Sequence, residues 1–394
     1  MLLSLALIFL IGMTLGSLFE KLRIPSLLGM ILTGMLLGPY VLNLLDPSIL
    51  GISADLRKVA LIIILTRAGL NLDIQDLKKV GRPAILMCFI PASCEIAAMV
   101  IFAPMFLNIT RLDAAIMGTV VAAVSPAVVV PRMLKLIESG YGTKKSIPQI
   151  IMAGASVDDV YVIVLFTAFT GLAGGKAIRP SDFLTIPTSI VFGLLGGAVA
   201  GLLLSFFFQR FHLRDSVKVM LILSISFLLV TAENYIKGNI GFSGLLAIMA
   251  LGATLRQKKY ELSRRLSLKF SKLWVAAEVL LFVLVGATVN IQYALRAGIM
   301  AVLLILCVLA FRVAGVFLCL IKTPLNKKER IFTAFGYMPK ATVQAAIGGL
   351  PLAMGLSCGD IVLTVAVLSI LVTAPLGAIL IDRTYQVLLE QNHS

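Results

Sequence analysis

Apolar runs of about 18 to 25 residues recur from residue 2 to the C-terminus, each long enough to cross a roughly 30 Å hydrocarbon core as a helix. The pattern predicts about thirteen such spans, near 2–19, 25–43, 58–73, 83–107, 113–132, 148–173, 183–208, 217–236, 239–255, 273–291, 297–321, 330–353 and 361–382. They leave no room for a soluble domain, and the fold class they predict is an all-α polytopic membrane protein. Two runs carry prolines at mid-span: Pro126 and Pro131 in the fifth, Pro339 in the twelfth. Proline removes a backbone donor and clashes with the preceding turn, so each of these helices is expected to break and expose carbonyls and amides at membrane depth. Such backbone is tolerated where it lines a cavity, which makes the two breaks a candidate site.

Composition agrees. Of 394 residues 59% are hydrophobic and 13% charged, and the mean hydropathy is +1.03, which no soluble domain of this length approaches. The first span begins at Met1 without a basic lead or a small-residue cleavage site, and reads as a retained helix. The net charge of +15 is no sign of nucleic acid, because the basic residues sort by loop. Loops after odd-numbered spans hold 24 of the 34 and loops after even-numbered ones 7, leaving Arg67, Arg312 and Lys340 within spans. By the positive-inside rule the N-terminus is outside and the C-terminus cytoplasmic. The basic segment 256–272 then faces the cytoplasm, as an orientation signal or against anionic lipid. Five cysteines at irregular spacing and two histidines, His212 and His393, both off the spans, exclude a disulfide frame, a zinc peptidase and a histidine proton relay.

An internal repeat emerges from the third and tenth spans. "AGLNLDI" (68–74) matches "VGATVNI" (285–291), with Asp73 on Asn290, and the same offset carries Glu95 onto Arg312, each a lone charge in an apolar run. "AAVSPAVVVP" (122–131) corresponds to "GYMPKATVQA" (336–345) with a small slip in register. The paired spans run in opposite directions, as inverted repeats of secondary transporters do.

Two adjacent acids, Asp158 and Asp159, interrupt the sixth span near its middle. Ionised carboxylates in hydrocarbon are costly and face a partner or a water-filled cavity. Neighbours on a helix point about 100° apart, so both can border one cavity. Carboxylate oxygens, the Ser125 hydroxyl and carbonyls freed by the break form a ligand set for Na⁺ or Li⁺. Burial favours the protonated acid and a bound cation favours the carboxylate, so proton and metal compete. Glu95 and Arg312 are expected to form a buried ion pair. Arginine does not release its proton, whereas Lys340, beside Pro339, Thr342 and Gln344, can titrate if desolvated, with Glu278 on the tenth span as a partner. Arg67 and Glu233, nearer span ends, are left to snorkel.

"VSPAVVVP", "GASVDDV", "FRVAG" and "PKATVQAAIG", after an opening "LRIPSLLGMILTGMLLGP", resemble the monovalent cation:proton antiporters of the NhaA/NapA type, most of all the NHA group of sodium/proton exchangers. The resemblance covers nearly the whole chain. It implies that Asp159 is the main cation and proton carboxylate with Asp158 beside it. It also implies that Ser125 and Pro126 form one crossed broken helix, and Pro339 and Lys340 the other. In NhaA and NapA a lysine credited with carrying a proton matches Arg312, so the arginine here predicts one-for-one, electroneutral exchange. The family fold implies a homodimerising scaffold of about 1–75 and 215–292, a moving core of about 81–175 and 296–383, and a linker helix near 183–208, working as an elevator. Na⁺ or Li⁺ and H⁺ would be substrates, with no cofactor and no nucleic acid, in a bacterial inner membrane suggested by the compact chain. Two alternatives share the fold: a K⁺/H⁺ exchanger and a sodium-coupled organic anion symporter. A third, an intramembrane aspartyl protease, would use Asp158 or Asp159 with Asp360 in "SCGD", where Ser357 replaces the glycine such a motif needs.

Overall fold

Prolines, glycines and capping side chains decide where these apolar runs begin and end. The computed structural model describes residues 1–22, 24–72, 81–173, 180–236 and 241–392, without the side chains of 156, 160, 180–187, 190, 234 and 291–297. Arg23, Asp73, Ile74, Lys78, Lys79, Lys176, Arg179, Lys237 and His393, which enter the repeat, the loop charges and the histidine count, lie outside the described residues.

The helices are α1 (Leu2–Lys21), α2 (Ser26–Leu37), α3 (Pro47–Gly51), α4 (Ser53–Asn71), α5 (Arg82–Met87), α6 (Ile90–Leu107), α7 (Arg111–Val121), α8 (Pro126–Glu138) and α9 (Ile147–Ala173). They continue as α10 (Pro180–Arg210), α11 (Asp215–Tyr235), α12 (Gly244–Lys258), α13 (Tyr260–Thr288), α14 (Ile291–Cys319), α15 (Lys327–Gly336), α16 (Thr342–Ile347), α17 (Leu350–Ala353) and α18 (Gly359–Leu388). Among the described residues nine stretches are long and apolar enough to cross a membrane, and Ser26–Leu37 and Thr342–Ala353 form shorter apolar helices. The all-helical expectation holds, while the count of thirteen is not reached by length and composition. The second run stops at Leu37, ahead of Gly38 and Pro39, and the twelfth is cut into α15, α16 and α17.

The fifth run divides between Val121 and Pro126, and Pro126 stands at the first position of α8, where a missing N–H costs nothing. Pro131, expected to share in the break, lies inside α8. Reciprocal capping boxes, Thr110 with Asp113 and Asn326 with Glu329, start α7 and α15, the leading halves of the two broken helices.

The chain forms two compact units, one of Met1–Arg57, Leu77–Val162 and Val279–Ser394, the other of Lys58–Asp76 and Ile163–Glu278. In the first, α2 and the end of α13 touch backbone to backbone. A Cβ on Gly34 would stand 1.9 Å from the Val283 carbonyl oxygen, and one on Gly286 2.1 Å from that of Ile31. Small residues at such crossings let helices approach where no hydrophobic force separates protein from lipid. In the second unit Gly197 of α10 meets α12 in the same way, 2.1 Å from the Ala247 carbonyl oxygen. The first unit's core joins Met87, Val129, Ile151, Val316 and Tyr337 around the broken helices. The loop from α8 to α9 is held from two sides. Gly142 N–H donates to Glu390 at 2.9 Å and Asn392 N–H to Gly140 at 2.9 Å, about the isolated bridge of Tyr141 with Gln391. Lys145 reaches the buried Glu329 at 2.9 Å.

Gly34→Ala is expected to destabilise the protein by about 1–3 kcal/mol, because backbone has to give way. A lower thermal midpoint in detergent, beside an unchanged midpoint for Gly51→Ala, whose added Cβ meets nothing within 4 Å, is the check.

Candidate functional site

Breaking a helix leaves carbonyls at the end of its first half and amides at the start of its second, and these have to find partners. At the first break they find them on three other elements. The carbonyl of Val121 accepts from Lys340 Nζ at 2.7 Å and from Gln344 Nε2 at 3.0 Å. That of Ala122 accepts from Arg312 Nη1, and that of Ala123 from Gln344 Nε2 at 2.9 Å. Of the amides, Val124 N–H donates to Asp158 Oδ2 at 2.9 Å. Ser125 N–H donates to the Pro339 carbonyl at 2.8 Å, so the two breaks touch through their main chains. The second break is closed by Arg312 Nε donating to the Tyr337 carbonyl at 2.7 Å and by Lys340 N–H donating to Thr373 Oγ1 at 3.1 Å. A Cβ on Gly377 of α18 would stand 2.4 Å from Pro339 Cγ, so glycine makes the space that this proline occupies.

Both cations sit at carbonyl ends, where the helix dipole is negative. Arg312, on α14, is buried and meets two carboxylates as well: Nη1 donates to Glu95 Oε2 at 2.9 Å and Nη2 to Asp158 Oδ2 at 2.8 Å. Its guanidinium lies 5.1 Å from the ring centre of Tyr337, whose hydroxyl donates to the Met87 carbonyl. Lys340 Nζ stands 2.7 Å from both oxygens of Glu95. The Lys340–Glu278 pairing weighed from the sequence is therefore corrected: the ammonium goes to Glu95, on α6, and Glu278 bears on Arg67. The sequence offset points to the Glu95–Arg312 pair but gives no sign that Asp158 shares the guanidinium.

The two adjacent acids differ sharply. Asp158, fully buried, holds Val124 N–H and Arg312. Asp159 is 7% exposed and makes no hydrogen bond or ion pair among the described residues, and its Oδ1 is buried without a partner. Ser125 Oγ, Thr342 Oγ1, Gln344 Oε1 and Asp158 Oδ1 are buried and unpartnered too. These atoms are all oxygens, the donor type a hard monovalent cation takes. Asp360 is exposed on the first turn of α18, not buried with the acid pair as a facing protease dyad requires. Tyr337 and Thr373 had no signal in the sequence, and the freed carbonyls of 121–123 could not be placed from residue types.

Residues 5–385 match the family described as "Sodium/hydrogen exchanger, transmembrane". Human sodium/hydrogen exchanger 9B2 is 35% identical over 377 residues, covering 91% of this chain and 68% of that protein. The mouse 9B2 protein is 36% identical over 347 residues, 84% of this chain and 62% of its own length. Human sodium/hydrogen exchanger 9B1 is 31% identical over 391 residues, 93% of this chain and 74% of that protein. The chain thus spans 62% of mouse 9B2 and 68% of human 9B2. Among solved structures, the sodium proton antiporter MjNhaP1 of Methanocaldococcus jannaschii superposes with a TM-score of 0.85 at 21% identity, over 98% of this chain and 97% of that one, and so shares the fold. The resemblance carried by the "VSPAVVVP", "GASVDDV", "FRVAG" and "PKATVQAAIG" motifs is borne out, and the chain belongs to the sodium/hydrogen exchanger family.

Proposed function

We propose that this chain exchanges Na⁺ or Li⁺ for H⁺ across a membrane, the two ions competing for Asp159. One observation carries the reading. Among the described residues three carboxylates are buried at the crossing, and the two cations there, Arg312 and Lys340, engage only Glu95 and Asp158. Arg312 keeps its proton throughout and Lys340, held by both oxygens of Glu95, keeps its own, so the paired groups sum to zero and, among the described residues, Asp159 alone of the three has no ion-pair partner. A bare carboxylate at this depth is costly, and either a proton or one monovalent cation relieves it. One ion then leaves as the other arrives, and the charge of the cluster is the same with either bound. That equality makes the exchange one for one and electroneutral.

The unpartnered oxygens of Ser125, Asp158, Thr342 and Gln344 support a dehydrated Na⁺ or Li⁺ rather than an organic anion, which would meet two acids. The names of the 9B relatives, sodium/hydrogen exchangers, support Na⁺ and H⁺ as the substrates. On the family fold we assign about 81–175 and 296–383 to a moving core, about 1–75 and 215–292 to a scaffold that dimerises, and 183–208 to the link. The loop charges favour an N-terminus outside and a C-terminus in the cytoplasm.

In proteoliposomes carrying a pH gradient, Na⁺ and Li⁺ are expected to dissipate it, and Asp159→Asn to cut the rate at least about 100-fold. Dissipation by K⁺ alone would replace the reading with K⁺/H⁺ exchange. At fixed ion gradients the wild-type rate is expected to be indifferent to an imposed membrane potential, and a rate that follows the potential would overturn one-for-one exchange. Arg312→Lys keeps the charge but offers a point ammonium to acceptors arranged for a fork. It is expected to lose about 2 kcal/mol of stability, read as a lowered thermal midpoint, and to exchange more slowly.

A further inference from the structure

Away from the crossing, one buried charge takes no part in holding either ion. Arg57, in the first turns of α4, is 4% exposed. Among the described residues its guanidinium makes a single hydrogen bond, from Nε to the Ser53 carbonyl of its own helix at 3.3 Å, and its Nη1 is buried with no acceptor. Burial alone acts on its ionisation, pushing the guanidinium down to about 10, and no charged neighbour among the described residues pulls it back. It is pressed against Gly349: a Cβ there would stand 2.2 Å from Nη1 and 3.0 Å from Cζ and Nη2. Gly349 precedes α17 and follows Gly348, which ends α16. The guanidinium therefore covers the far end of the short helix that starts beside the crossing at Thr342.

An arginine placed to cap that helix would bond its last carbonyls, and this one bonds none of them. A charge buried without a partner is more stable in water, so any conformation that admits water here gains from doing so. We propose that Arg57 is a latch at the end of the second broken helix, covered in this conformation and hydrated in the next, and that its hydration drives that end open during the transport cycle. The inference rests on the alternating movement of scaffold and core proposed above, since α4 lies in the first and α16 and α17 in the second. Gly349 completes the device, because a side chain there would collide with the guanidinium, whose Nη1 lies 2.2 Å from where a Cβ would stand.

Amide hydrogen exchange of segment 346–353, followed by mass spectrometry on the protein in lipid nanodiscs, tests this directly. Arg57→Met keeps the length and removes the charge, and is expected to slow exchange there about tenfold and to lower the rate of Na⁺-driven proton movement. Arg57→Lys is expected to behave as wild type, and Gly349→Ala, which displaces the guanidinium, to exchange faster. Amides in Arg57→Met that exchange as in wild type mean the charge does nothing, and amides that exchange faster mean the side chain is a brace; either overturns the proposal. Arg57→Gln gives the same reading should the methionine variant fail to fold. The amide measurement needs no transported ion. A protein without Na⁺/H⁺ exchange therefore leaves it interpretable, and an inert Arg57 leaves the reading of Asp159 intact.

Discussion

The crossing is organised by one guanidinium. Arg312 donates to a carbonyl from each broken helix, Ala122 and Tyr337, and to a carboxylate from each of two unbroken ones, Glu95 and Asp158. Four partners from four elements can be met at once only by a planar group with several fixed donors. Without it two carbonyl ends would lie buried and unmatched, and Asp158 would keep only the Val124 N–H and no counter-charge, each a penalty larger than an ordinary hydrogen bond gains. The position of Asp158, and with it the turn that carries Asp159, follows from where that plane lies.

Lys340 works on the same problem from the other side. It caps Val121, at the end of α7, and neutralises Glu95, leaving Arg312 free to serve Asp158 as well. Gln344 spends both of its amide protons on the carbonyls of Val121 and Ala123. Its own oxygen is thereby turned away from them and has no donor. Satisfying the carbonyl ends of the breaks and leaving oxygens bare are thus two results of one arrangement, and a cation carrier needs both.

Much of this was legible in the sequence, for physical reasons. Charges are rare enough in apolar runs that Glu95, Asp158, Asp159 and Arg312 stand out one by one, Pro126 and Pro339 stand out by the polar residues beside them in repeat-related runs, and the repeat offset pairs Glu95 with Arg312. The rest depends on partners that have no side-chain signature. The carbonyls of Val121, Ala122 and Tyr337 read as ordinary apolar or aromatic positions, so their claim on Lys340 and Arg312 was invisible. Spacing along a helix does not give depth, and for that reason the sequence offers Glu278 as the partner of Lys340 and matches Glu95 with Arg312 alone. Pro131 reads like a second breaker beside Pro126, yet α8 runs through it once Pro126 has begun the helix. The count of thirteen spans is not confirmed by length and composition, since α2 stops early and the twelfth run is cut into short helices.

The link from Ser125 to Pro339 runs from amide to carbonyl, and so belongs to no side chain. Replacing either residue with another that keeps the backbone path leaves the bond in place, and alanine scanning passes over it. What evolution has to preserve there is a pair of chain trajectories rather than a pair of letters. Two distant relatives can therefore share the joint while agreeing on neither residue, and sequence identity understates how alike their ion paths are built.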